Sequence, residues 1–220
     1  YFNYSVSKKG GAVVSDAEWK LSLFAPKQNH LNPTAPKRAY YRITYPTFLV
    51  DDKGNLSVGW RQGGTHDAEM QFSTYDGETW TAPRSWNKLT KENTKGFYGN
   101  FKVFNGKMYA CWARRSADDV KAGFLASGLY LGHSNDPNGA SAWNTMSGEK
   151  FETPLKDWEQ FKIAEPVESG ERIGAGPNFM ITKEGSFHGV YSEIRIKGKS
   201  SISRHFYRAN AKEPLSMYEN

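Results

Sequence analysis

The sequence predicts an all-β chain folded as part of a β-propeller of four-stranded blades. Composition is the first indication: 21 Gly, 10 Pro, 7 Trp, 12 Tyr and 13 Phe in 220 residues suit many short strands joined by tight turns. A recurring pattern of strand, Gly turn and strand is the second. It places Phe48, Phe101 and Phe179 in one register, 53 and 78 residues apart. Helix is scarce, because the best candidate, residues 16–23, is short and lacks a sustained apolar face.

The first repeat runs Tyr45-Pro46-Thr47-Phe48-Leu49-Val50, turns at Asp51-Asp52-Lys53-Gly54, and returns as Asn55-Leu56-Ser57-Val58-Gly59-Trp60-Arg61. The second runs Tyr98-Gly99-Asn100-Phe101-Lys102-Val103-Phe104, turns at Asn105-Gly106, and returns through Lys107-Met108-Tyr109-Ala110-Cys111-Trp112-Ala113-Arg114. The third, from Gly176-Pro177-Asn178-Phe179-Met180-Ile181, turns at Thr182-Lys183-Glu184-Gly185 and returns through Phe187 and Tyr191. Asn-Gly between alternating apolar residues is among the strongest short hairpin signals.

Each hairpin is followed by a third strand: residues 69–75, residues 128–134, and the segment His205-Phe206-Tyr207-Arg208. The turn Ser73-Thr74-Tyr75-Asp76-Gly77-Glu78-Thr79-Trp80 resembles the Asp-box, or BNR, turn of sialidase-like propellers. There an Asp caps the turn and the Trp packs between blades. The turn from Asn135 to Gly139, reaching Trp143, is a longer version.

These elements divide the chain into a partial blade and connecting loop at 1–41 and blades at 42–90, 91–165 and 166–220. A propeller closes with about four to eight blades, so the rest of a seven-bladed ring is expected outside this chain or from a second chain. A three-sheet sandwich is the alternative. The first residue is Tyr1, with no charged segment leading into an apolar one, so the chain reads as an excised piece.

Other function classes are limited by composition. Apolar residues at 38% and aromatics at 15% suit a packed core rather than a disordered chain. No apolar run approaches the roughly 18 residues of a membrane helix. Lys+Arg 29 against Asp+Glu 23 leaves +6, yet no RNP, KH, helix-turn-helix or zinc-finger pattern accompanies the charge, which argues against nucleic acid. One cysteine, Cys111, excludes an internal disulfide framework and leaves the compartment open.

The innermost strand of a propeller blade lines the central channel, so Tyr45, at the start of such a strand, can stand near the axis with Arg61 beside it on the hairpin partner. Equally, Tyr45 could be a core aromatic and Arg61 a rim cation. The runs Thr44-Tyr45-Pro46-Thr47-Phe48-Leu49, Trp60-Arg61-Gln62-Gly63-Gly64 and Tyr75-Asp76-Gly77-Glu78-Thr79-Trp80 resemble the BNR-4 type propellers that include the ulvan lyases of polysaccharide lyase families 24 and 25. The turn Gly132-His133-Ser134-Asn135-Asp136 carries the same resemblance. It covers most of the chain.

The resemblance implies β-elimination on a uronic acid within an anionic, sulfated polysaccharide, in a protein secreted to the periplasm, cell surface or medium of a bacterium. It assigns the catalytic tyrosine to Tyr45 and the carboxylate-neutralising arginine to Arg61, with Tyr98 beside the substrate. No cofactor is required for that chemistry. A free phenol has a pKa near 10, so Tyr45 as base needs a neighbouring cation. The family also draws histidines from a preceding blade, where this chain offers only His30.

Two further substrate contacts are expected: His66, on the loop Gly63-Gly64-Thr65-His66-Asp67, and Arg114, in a basic surface with Arg115, Arg195, Lys197, Lys199, Arg204 and Arg208. A solvated loop residue and scattered charge are the plainer readings. Cys111, His133 and His188 could converge on a structural zinc ion, although no short ligand spacing supports it. Two other functions stay open at this level, a non-catalytic carbohydrate-binding propeller and a sialidase-like hydrolase.

Overall fold

The computed structural model describes residues 3–5, 7, 20–35, 40–90, 95–121, 126–165, 171–173, 176–195, 201–210 and 212–219. Three consecutive antiparallel sheets follow one another along the chain. The first is β1 (Ile43–Val50), β2 (Leu56–Gly63), β3 (Ala68–Tyr75) and β4 (Arg84–Ser85), in that order. The second holds β5 (Lys95–Phe104), β6 (Lys107–Ser116), β7 (Ser127–Ser134), β8 (Trp143–Thr145), β9 (Lys150–Phe151) and β10 (Lys162–Ala164). The third holds β11 (Glu171–Ile173), β12 (Asn178–Ile181), β13 (Phe187–Arg195), β14 (Ser201–Arg208) and β15 (Ser216–Glu219).

The strand counts of the second and third sheets exceed the expected four, for a geometric reason. In the second sheet the position beyond β7 is shared: β8 pairs with Gly132, His133 and Ser134, while β10 pairs with Tyr130 and Leu129. In the third, β11 and β12 lie along the same partner, β13, as two pieces of one innermost strand. The third sheet is thus a four-position blade with its innermost position interrupted, and the second has the position beyond β7 interrupted and β9 added outside β8 as a fifth.

The shared register holds in space. Phe48 stands opposite Val58, Phe101 opposite Ala110 and Phe179 opposite Gly189. Asn105 and Gly106 turn with φ of 49° and 69°, the left-handed pair that a two-residue hairpin requires. In the Asp-box turn, Asp76 Oδ1 accepts the Glu78 and Thr79 amides and Oδ2 accepts the Thr79 hydroxyl. Trp80 then packs with Leu31, Tyr40, Val58 and Trp60. In the longer version, Asp136 accepts the amides of Asn138, Ala140 and Ser141.

The pleat decides which side chains meet. On β6, Met108, Ala110 and Trp112 point to one face and pack with Met70, Phe72 and Trp86 of the first sheet and its loops. On the opposite face, Cys111 and Ala113 pack with Phe187, Tyr191 and Phe206 of the third sheet. Trp86 is fully buried, edge-on to Phe101, Trp112 and Trp143 with ring centres 5.3 Å apart in each case. Burying such a ring contributes about 2–3 kcal/mol, so this cluster locks the first two sheets together.

Helix is scarce among the described residues, as composition implies. Residues 16–19 lie outside the described residues, and Leu21–Leu23 form one 3-10 turn. A short helix that the apolar pattern does not announce, α1 (Ala117–Lys121), is capped by Ser116, whose Oγ accepts the Asp119 amide while Asp119 Oδ2 accepts the Ser116 amide. The signal was Ser116-Ala117-Asp118-Asp119, a capping box.

Innermost strands approach closely at one end. A Cβ on Gly176 would lie 2.7 Å from the Tyr98 carbonyl oxygen, and one on Gly96 would overlap the Thr65 carbonyl. Only glycine admits these approaches, and they bring the loop between β2 and β3, the start of β5 and the segment before β12 together.

Candidate functional site

At this meeting point lies a cleft of about 550 Å³, walled by Tyr45, Pro46, Arg61, Phe97, Tyr98 and Asn100 among others. Its first wall begins with a bulge. Thr44 pairs with Arg61 and Thr47 with Gly59, so Tyr45 and Pro46 together oppose Trp60. Pro46 has no N–H for the ladder, which breaks there. Tyr45 takes a φ of 53°, a left-handed conformation costing a non-glycine residue about 1–3 kcal/mol. The result turns its ring out of the pleat, 64% exposed at the cleft mouth.

Arg61 forms the floor. Only 5% exposed, its Nε donates to Thr44 Oγ1 at 3.0 Å. Its guanidinium carbon stands 4.7 Å from the Tyr45 ring centre and 4.8 Å from that of Tyr98. The two rings are 6.5 Å apart at 62°. Arg61 Nη1 is buried without a hydrogen-bond partner, and among the described residues no carboxylate pairs with this side chain. Two ring faces return about 0.5–2 kcal/mol each, less than a buried unpaired charge costs. A carboxylate entering the cleft would meet an unsatisfied donor and an uncompensated charge.

The structure brings together Tyr45, Arg61 and Tyr98, and not the remaining candidates. Arg114 is ion-paired with Glu159, Nη1 to Oε1 at 2.6 Å, and away from the cleft wall. The pleat sends its neighbour the other way: Arg115 has its guanidinium carbon 5.9 Å from the Tyr98 ring centre. His66 lies on the loop seated over Gly96, its Nδ1 buried without a partner, and does not wall the cleft. His30 bonds Asn29 Oδ1 at 2.8 Å beside a separate hollow.

The expected basic surface is partly consumed by internal bonds. Arg204 Nε donates to the fully buried Glu193 at 2.7 Å, and Arg208 Nε donates to the Glu213 carbonyl at 2.6 Å. Lys197 and Lys199 lie outside the described residues.

Cys111, His133 and His188 do not converge either. His188 is on the opposite pleat parity to Phe187 and Tyr191, which face the second sheet, so it points away from Cys111. Its Nδ1 lies 3.2 Å from His205 Nε2. His133 stacks on Tyr109 at 5.6 Å, and burial, with Lys107 nearby, pushes its pKa down. Cys111 is wholly buried in an apolar cluster that pushes its thiol pKa up. Among the described residues no group of three or more His, Cys, Asp or Glu side chains could hold a metal ion.

Two participants were missed by sequence reasoning, Asn100 and Thr44. Asn100 Nδ2 donates to the Pro177 carbonyl at 2.9 Å and joins the cleft wall to the third sheet. Thr44 stood in the Thr44-Tyr45-Pro46 run, but only the strand register shows that its hydroxyl faces Arg61.

Relatives and solved structures agree with this architecture. An ulvan lyase, short isoform, of Alteromonas sp. (strain LOR) is 30% identical over 190 residues, covering 76% of this chain and 35% of that protein. An ulvan lyase, long isoform, of Pseudoalteromonas sp. (strain PLSV) is 28% identical over 231 residues, covering 91% of this chain and 23% of that protein. The chain thus spans between a fifth and about a third of the length of the curated relatives it matches. The crystal structure of polysaccharide lyase Uly1 superposes with a TM-score of 0.85 at 23% identity, over 99% of this chain and 52% of that one, which shows the same fold. A BNR repeat-containing family model, BNR_4, matches residues 1–215, from before the first sheet through β14 of the third. The chain therefore belongs to the BNR_4 family of BNR repeat-containing proteins.

Proposed function

We propose that the protein carrying this chain is a polysaccharide lyase of the ulvan type, cleaving an anionic, uronate-containing polymer by β-elimination. The observation that carries the reading is Arg61, a buried guanidinium facing a cleft with Nη1 unpartnered. The C5 proton of a uronate is weakly acidic, and neutralising the adjacent carboxylate stabilises the charge that develops as it leaves. Arg61 supplies that neutralisation. Tyr45 transfers the proton at C5 or at the leaving glycosidic oxygen, its ring held 4.7 Å from the Arg61 guanidinium carbon. As the C5–H bond breaks, the base takes the proton, the bonding pair forms the C4–C5 double bond, and the C4–O bond breaks with its pair on the glycosidic oxygen, which is protonated and leaves as a hydroxyl.

The relatives named ulvan lyase support this choice of chemistry. The cleft wall also disfavours a hydrolase that uses paired carboxylates, because no Asp or Glu is among the described residues lining it. Secretion from a bacterium, and closure of the ring by blades outside this chain, belong to the same proposal. Incubating the full-length protein with ulvan tests it. Ultraviolet absorbance from the conjugated double bond should rise with time. Reducing ends without that absorbance would indicate hydrolysis, and neither signal would leave a binding propeller.

A further inference from the structure

We infer that Thr44 is a positioning residue that dictates how the Arg61 guanidinium grips its anion, an inference that rests on the lyase reading above. A guanidinium offers a carboxylate two paired-donor edges: a side edge of Nε with one terminal nitrogen, and an end edge of the two terminal nitrogens. In this chain the side edge is taken, because Nε donates to Thr44 Oγ1 at 3.0 Å. The end edge keeps an open donor, since Nη1 is buried and unpartnered. The Tyr45 and Tyr98 rings stand 4.7 and 4.8 Å from the guanidinium carbon and restrict its tilt. One hydroxyl therefore selects end-on capture and fixes where the carboxylate, and with it C5, stands relative to the Tyr45 phenol.

The placement follows from local sequence. Thr44 is the last residue in register with β2 before the Tyr45-Pro46 bulge, so its side chain falls beside Arg61 while Tyr45 is thrown outward. Thr44 is itself exposed, so it fills no core position. Replacing an exposed strand Thr by Val should leave the melting temperature near that of the wild type, which separates a positioning effect from a folding one.

The test compares Thr44→Val, Thr44→Ser and Arg61→Ala in the full-length protein, reading kcat, KM and melting temperature on ulvan. Thr44→Val should lower kcat about ten- to a hundredfold, as a misplacement on the order of 1 Å does. KM should stay near wild type, because the freed side edge still binds carboxylate. Thr44→Ser, which restores the hydroxyl, should recover most of the turnover. Wild-type kcat in Thr44→Val, with Arg61→Ala inactive, overturns the positioning role and leaves the lyase reading standing. Absence of ulvan cleavage by the wild-type protein would remove that reading itself, while wild-type turnover in Arg61→Ala would remove Arg61 from the site and overturn the inference with it. An equal loss in Val and Ser with a lowered melting temperature assigns Thr44 a structural role and also overturns the inference.

Discussion

The guanidinium carbon of Arg61 lies 4.7 Å from the centre of the Tyr45 ring, the two residues coming from opposite strands of one hairpin. That relationship makes one phenol and one cation a single chemical unit. Arg61→Ala should lower kcat by about a hundred- to a thousandfold, the usual loss of a group that stabilises developing charge. Arg61→Lys should lose less, since an ammonium keeps the charge but not the planar fork. Steady-state kinetics on ulvan checks both, and wild-type rates for Arg61→Ala would remove the residue from the site.

Tyr45→Phe keeps ring area but loses the proton. Because Tyr45 is 64% exposed, the fold should hold while turnover falls by orders of magnitude, with little change in binding. Were Tyr45 only a packing residue, the loss would appear in the melting temperature and activity would persist.

Glu159 gathers Lys95 at 2.9 Å, Arg114 at 2.6 Å and Lys162 at 2.7 Å. Burial pushes its carboxyl up, but hydrogen bonds from Lys162 and Lys95 and the charge of Arg114 outweigh that and hold it at about 2, against 4.5 ordinarily. A depressed carboxylate stabilises the fold above its unfolded pKa, and the contribution fades as pH falls from about 4.5 toward 2. Glu159→Gln should therefore destabilise by about 1–2 kcal/mol at neutral pH, after allowance for solvent screening, and by little near the acid end. Urea titrations across that range read the difference, and a pH-independent gap would contradict the ion network.

Trp86→Ala should cost about 3–5 kcal/mol, the range for emptying a buried indole site. The ring joins Phe97, Phe101, Trp112, Trp143 and Trp158 around it. Trp86→Phe should retain part of that stability. Denaturation midpoints of the two variants provide the comparison, and equal stability of wild type and Trp86→Ala would deny the cluster its role.

Gly176→Ala should disturb the site from the third sheet. Its methyl would meet the Tyr98 carbonyl oxygen at 2.7 Å and the Gly99 nitrogen at 3.0 Å, so β5 must shift. A stability loss of about 1–3 kcal/mol is expected, together with reduced turnover as Tyr98 moves against Arg61. Unchanged melting and kinetics would show that the innermost strands tolerate separation.

The hairpins were legible because turn chemistry is local. Asn105-Gly106 and Asp76-Gly77 can take few other backbone paths, and strand parity follows once the turn is set. The pairing of Tyr45 with Arg61 was also local, both lying on one hairpin. Arg114 shows where this ends: adjacent in sequence to Arg115, it differs only in pleat parity. Glu159, 45 residues away, engages Arg114, while Arg115 approaches Tyr98. Cys111, His133 and His188 fail as a trio for the same reason, because one step along β13 moves a side chain to the other face of a sheet.

The sequence by itself determined the strands, their turns, the repeat and the Tyr45–Arg61 hairpin, because those depend on neighbours within a few tens of residues. Only the tertiary structure decided which cations stay unpaired and which polar groups face the cleft. Those outcomes depend on contacts between sheets, such as Gly176 against Tyr98 and Asn100 against Pro177. A guanidinium that the packed fold buries without supplying its counter-charge is left with an uncompensated charge. Arg61 meets that condition and Arg114 does not, although both are arginines at the ends of inner hairpins.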